Sequence, residues 1–183
     1  MLILVSGLPG SGKTYFSKAL ASKLEALHIN SDSVRRGLNL MEKYDNNSKQ
    51  VVYDKMVSLT KKGLLEHPYV IVDATFYLEK IRKVYLDIAD SLSIPIRIIE
   101  LKANLETIKV RVTKKRPDSE ADFKVYQFLL KQFEPIQESH LTLWSDHLSL
   151  EEMIDKAKEY ILITKSPRDF PQGTSFKHES EPN

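Results

Sequence analysis

Residues 7–14 read Gly7-Leu8-Pro9-Gly10-Ser11-Gly12-Lys13-Thr14 and satisfy G-x-x-x-x-G-K-[ST] at every fixed position. The setting of this octapeptide constrains the fold as much as its residues do. Ahead of it runs Leu2-Ile3-Leu4-Val5, an uninterrupted apolar stretch of the kind buried on both faces of a parallel sheet. Behind it, Phe16, Leu20 and Leu24 recur at every fourth position and mark a helix over Lys13 to Leu24. Strand, glycine turn and helix in that order make an anion cradle, a context that a chance match in a glycine-rich turn would lack. The glycines allow positive φ and bring consecutive N–H groups to phosphate oxygens, while the helix directs its positive end at the same point. Lys13 then supplies a mobile charge for the β- and γ-phosphates of a nucleoside triphosphate, and Thr14 a hydroxyl for Mg2+. The stretch expected to bind nucleotide is Gly7, Leu8, Pro9, Gly10, Ser11, Gly12, Lys13, Thr14 and the adjoining Tyr15.

Further strand patterns at Leu27 to Asn30, Tyr69 to Asp73, Ile96 to Leu101 and, more weakly, His140 to Trp144 alternate with helical ones. The helical stretches are Ser48 to Glu66, Leu78 to Leu92, Leu105 to Lys115 and Ser119 to Phe133. This alternation predicts an α/β fold, a five-stranded parallel sheet with the phosphate-loop strand central and helices on both faces. Ser149-Leu150-Glu151-Glu152 reads as a capping box, opening a last helix with Met153, Ile154, Ala157 and Ile161 on one face. Beyond Lys165 the composition turns to Ser, Pro, Gly, Lys and Glu without periodicity, which predicts one domain over 1–165 and a disordered tail over 166–183.

Several function classes fall away on composition. The absence of cysteine excludes disulfides, thiol catalysis and thiolate zinc sites, and the five histidines show no metal-ligand spacing. A formal net charge of +2 argues against a dedicated nucleic-acid coat, although a local basic groove could exist within it. No apolar run is long enough to span a bilayer, and Leu2 to Val5 lacks the basic flank of a signal peptide. A cytoplasmic enzyme without a membrane partner is expected.

Three groups of residues are candidates for the rest of the chemistry. Asp32, in Ser31-Asp32-Ser33, comes after the second strand and would face the crevice at the carboxyl ends of the strands. There it could take the proton of an attacking hydroxyl, or it could merely cap a short helix with Arg35 on a solvated face. Asp73 ends the hydrophobic strand Val70-Ile71-Val72-Asp73 in the manner of a Walker B acid, to hold Mg2+ or touch the acceptor, or else it caps a turn. Arg111, Lys114, Lys115 and Arg116 close a helix before Pro117, as a solvated cationic end or as a lid over the nucleotide.

Taken together, these blocks resemble the zeta-toxin and polynucleotide-kinase-like P-loop kinases, small bacterial kinases with an AAA-type ATP-binding domain. The resemblance spans Met1 to Ile136 and rests on Leu4 to Thr14, on Ile29-Asn30-Ser31-Asp32-Ser33-Val34-Arg35, and on Val70 to Phe76. Its last block runs from Arg116-Pro117-Asp118-Ser119-Glu120-Ala121-Asp122 to Gln132-Phe133-Glu134-Pro135. It implies a nucleoside-kinase-like fold and transfer of the γ-phosphate of ATP, with Mg2+, to a hydroxyl-bearing acceptor. By the same resemblance Asp32 is the general base, Arg35 an acceptor-side arginine, and Arg116 the lid arginine on the phosphates. A small acceptor such as a nucleoside or sugar is favoured, and the rivals are a 5′-hydroxyl polynucleotide kinase and an NTPase switch without acceptor. Leu38 to Pro68, where an acceptor pocket belongs, carries no readable motif.

Overall fold

The computed structural model describes residues 1–41, 43, 45–113 and 123–162. Arg116 and the 166–183 segment lie outside them. In chain order the elements are β1 (Leu2–Ser6), α1 (Lys13–Leu24), β2 (Leu27–Asn30), α2 (Ser31–Gly37), α3 (Asn46–Glu66) and β3 (Val70–Asp73). They continue with α4 (Glu79–Ser91), β4 (Ile96–Lys102), α5 (Leu105–Thr113), α6 (Phe123–Gln132), β5 (Leu141–Trp144) and α7 (Leu150–Leu162). Among the described residues no helix is long and apolar enough to cross a membrane.

The five strands form one sheet in the order β2-β3-β1-β4-β5, and every pairing is parallel. The expected fold class holds, with the phosphate-loop strand in the centre. Side chains alternate across a strand, so β1 and β3 feed two separate cores. Leu2, Leu4, Val70 and Val72 pack with Val52 and Met56 of α3 and with Tyr85 and Ile88 of α4. Ile3, Val5 and Ile71 pack on the other face with Phe16 and Leu20 of α1 and with Met153, Ala157 and Ile161 of α7. The predicted capping box is formed reciprocally: Ser149 N–H donates to Glu152 Oε2 at 2.8 Å, and Glu152 N–H to Ser149 Oγ at 3.2 Å.

Parallel strands place all their carboxyl ends at one edge, and the loops there are tied by polar contacts. Arg82 of α4 is fully buried; its Nη1 donates to the Phe76 carbonyl at 2.9 Å and its Nη2 to the Pro135 carbonyl at 3.0 Å. Glu134 N–H adds a bond to the Tyr77 carbonyl at 2.8 Å. The chain leaving α6 is thereby clasped to the β3–α4 loop.

Glu100, near the end of β4, is 6% exposed and lies 3.1 Å from Lys102 Nζ and 3.6 Å from His140 Nε2. Burial pushes its carboxyl upward, but hydrogen bonds from His140 and Lys102 outweigh burial and hold it below its ordinary 4.5. Burial likewise pushes His140 downward, and the bonds to Glu100 and the Glu138 carbonyl carry it above 6.5 instead. The stability Glu100 contributes is present above 4.5 and lost as pH falls through its lowered value; that of His140 is present below 6.5 and lost as pH rises through its raised value. Melting temperature followed from about pH 4 to about pH 9 should therefore decline on the alkaline side, and His140→Gln should remove part of that decline.

Candidate active site

The phosphate loop is shaped by close backbone approach. Gly7 comes directly after β1, and a Cβ there would sit 2.7 Å from the Leu101 carbonyl oxygen. Gly12 precedes α1 at φ 87, in the left-handed region, and offers no side-chain cap. The first amide to enter the helix ladder is that of Phe16, bonded to the Gly12 carbonyl at 3.1 Å. The N–H groups of Lys13, Thr14 and Tyr15 are therefore left over, as at every helix start, and here nothing on α1 caps them. Pro9 carries no N–H and can only shape the loop. The Tyr15 side chain is 68% exposed, so what it brings to the cradle is its backbone N–H. Lys13 is half-buried and meets no acceptor among the described residues.

Asp73 is fully buried at the end of β3, paired in register with Val5 on one side and Asn30 on the other. Its Oδ2 accepts Asn30 Nδ2 at 2.8 Å and lies 3.4 Å from His28 Nε2, while its Oδ1 has no hydrogen-bond partner. The same Nδ2 reaches Thr14 Oγ1 at 3.3 Å. A buried carboxylate oxygen without a partner, joined through one amide to the Thr14 hydroxyl, is a hard oxygen pair that fits Mg2+. That ion takes one or two protein oxygens and fills its octahedron with phosphates and water. Among the described residues no group of three His, Asp or Glu stands together as a fuller cage. Asp73 caps no helix, since Leu78 stands at the start of α4.

Asp32 lies half-buried in the first turn of α2. The cap of that helix is Asn30, whose Oδ1 accepts Ser33 N–H at 2.9 Å, so Asp32 does not hold that position. Arg35 is 7% exposed rather than solvated, and its Nη1 donates to the Leu40 and Lys43 carbonyls, which organises the chain between α2 and α3. Burial pushes the Tyr53 phenol of α3 upward, with Tyr77 and Asp32 acting in the same sense and Arg35 against it. Tyr77, Arg35 and Asp32 therefore lie within electrostatic reach of the Tyr53 phenol, although residues 38–68 carry no motif that signals a pocket.

Within the basic cluster, Arg111 is the member that the structure places at the loop. Its Nη1 donates to the Gly10 carbonyl at 3.1 Å and to Ser145 Oγ at 2.7 Å, and its Nη2 to the Ser145 carbonyl at 3.0 Å. The sequence names Arg111 only as one member of the basic cluster; its place in the last turn of α5 is the signal it carries. Asn30 stands in the sequence only as part of a motif, since its role depends on a partner 43 residues away. Replacing Arg111 with Lys removes a planar fork that a single ammonium cannot copy. Nucleotide affinity should drop by about tenfold as the loop loses its tie at Gly10, and the melting temperature should fall by a few degrees with the bonds to Ser145. Isothermal titration calorimetry checks the first and a thermal melt the second.

The family described as AAA domain matches residues 2–136. An L-seryl-tRNA(Sec) kinase of Methanococcus maripaludis is 31% identical over 115 residues, which cover 61% of this chain and 44% of that protein. The match spans less than half the length of that relative. Among solved structures, a sugar kinase from Janibacter sp. superposes with a TM-score of 0.69 at 15% identity, covering 89% of this chain and 95% of that one. The Mycobacterium tuberculosis APS kinase in complex with AMPPNP and APS gives 0.66 at 17% identity, covering 87% and 96%. At such identities these structures share the fold.

Proposed function

Because the chain belongs to the AAA domain family, we propose that it is an ATP-dependent phosphotransferase that passes the γ-phosphoryl group to an acceptor hydroxyl. One observation carries the reading. The uncapped start of α1 with Lys13, the unpartnered Oδ1 of buried Asp73, and Asp32 on α2 all stand at the carboxyl edge of one parallel sheet. We read the unit as residues 1–165 and group it with the zeta-toxin and polynucleotide-kinase-like members on Asn30, Asp32 and Arg35.

In this reading the loop from Gly7 to Tyr15 binds the triphosphate through backbone N–H groups, and Lys13 bridges the β- and γ-phosphates. Thr14 and Asp73 hold Mg2+, which when bound neutralises charge on the phosphate oxygens. Asp32 orients the acceptor hydroxyl and takes its proton as the oxygen bonds to the γ-phosphorus. The bond from that phosphorus to the β–γ bridging oxygen breaks, and ADP leaves with the electron pair. Arg35 holds the chain that walls the acceptor, and Arg116 closes over the transferring group. The compartment such a reaction implies is the cytoplasm.

A small hydroxyl compound, a nucleoside or a sugar, is the acceptor we favour, and the kinases named above support hydroxyl acceptors in general. The likeness to a seryl-tRNA kinase favours a second reading, an aminoacyl hydroxyl carried on RNA. ATP consumption measured against nucleosides, sugars, 5′-hydroxyl oligonucleotides and seryl-tRNA separates these. Hydrolysis at one rate whatever is added would instead mean an NTPase without acceptor. With an accepted compound, Asp32→Asn should lower kcat by roughly 10² to 10⁴ because its shape survives and its proton affinity does not. Mg·ATP affinity should stay within about twofold, and wild-type turnover in this variant would end the general-base assignment.

A further inference from the structure

β2 ends in Asn30, and both ends of its amide are engaged. Oδ1 accepts Ser33 N–H at 2.9 Å and caps α2; Nδ2 donates to Asp73 Oδ2 at 2.8 Å and reaches Thr14 Oγ1 at 3.3 Å. The residue is 6% exposed. The orientation of the amide is set by its partners, because a flipped group would put a carbonyl oxygen against the Asp73 carboxylate. Capping α2 needs only an oxygen, and Ser, Thr or Asp would supply one. An Asp here would place a second carboxylate beside a buried one, at a cost in desolvation and repulsion. The amide alone offers a neutral acceptor to the helix and a donor to the acid at once.

From this geometry we infer that Asn30 is a positioning residue for the phosphoryl-transfer centre. Its donor holds Asp73 by Oδ2, so that Oδ1 remains the open oxygen, and the same donor reaches the Thr14 hydroxyl. Its acceptor pins to the same point the first turn of the helix that carries Asp32. Metal side and acceptor side are thus joined through one side chain. The inference rests on the reading of Thr14 and Asp73 as the Mg2+ oxygens, and it extends that reading to the residue bonded to both.

The test is calorimetric titration of a non-hydrolysable ATP analogue, with Mg2+ and with EDTA, into wild type, Asn30→Ser, Asp73→Asn and the double variant. Asn30→Ser keeps a cap and removes the amide donor. Its Mg2+-dependent gain in affinity should shrink by about 10- to 100-fold, the usual effect of losing a group that orients a metal ligand. Its metal-free affinity should stay within about twofold, and the same substitution made on Asp73→Asn should change the gain no further. Should Asn30→Ser not fold, Asn30→Thr takes its place, because a β-branched residue suits a strand end. A full Mg2+ gain in the folded variant, or independent losses in the double variant, would overturn the role of Asn30 alone. A wild type with no Mg2+ gain would overturn the reading of the site, and the inference with it.

Discussion

The central strand β1 is enclosed on every side. Leu2 through Val5 are at most 1% exposed, β3 and β4 pair along its two edges, and helices cover both its faces. Burying a side chain of this size contributes about 1.5–3 kcal/mol, and four in succession leave the strand no freedom to shift. The chain beyond β1 therefore starts from a fixed point. Gly7 leaves the strand against the Leu101 carbonyl, and the loop must turn there and nowhere else. The parallel register then sets Asn30 and Asp73 level with Val5 at the same edge. The position of the candidate site is a consequence of main-chain packing before any functional side chain is considered.

The loop after β3 joins the two halves of that edge. Its Thr75 carbonyl accepts Ser6 Oγ at 2.9 Å, next to the phosphate loop. Phe76 is fully buried at φ 51, a left-handed conformation that costs on the order of 1–3 kcal/mol in a residue other than glycine. It is held there by the Arg82 guanidinium on its carbonyl and by an edge-on contact with Tyr85 at 5.3 Å. Since Arg82 also grips Pro135, the chain that returns from α6 is anchored to the loop flanking Asp73.

Much of this architecture was legible in the sequence, and for identifiable reasons. Strands buried on both faces read as unbroken apolar runs, so Leu2 to Val5 and Val70 to Val72 announced a parallel sheet with β1 inside it. The phosphate loop and the Ser149 capping box are local motifs whose partners lie within a few residues. Contacts across the fold were not legible. Arg35 reads as a candidate surface cation until the Leu40 and Lys43 carbonyls accept its guanidinium, and Arg82 looks like any polar position on an amphipathic helix. Asn30 reads as one letter of a motif, because its worth depends on Asp73 across a strand pair. Tyr77, Asp32 and Arg35 are likewise scattered along the chain and come within electrostatic reach of Tyr53 only once it is folded.

The central claim is that the loop from Gly7 to Thr14 grips the phosphates of a nucleoside triphosphate. Thermal melts of wild type and Lys13→Ala, with and without Mg·ATP, test it most directly. The account predicts that wild type gains about 2.7–4.1 kcal/mol when ligand is present at roughly 100 to 1,000 times Kd. Lys13→Ala should melt as wild type does without ligand, since Lys13 has no partner among the described residues, and should lose most of the gain. A wild-type protein whose melting is unmoved by Mg·ATP at millimolar concentration would contradict it.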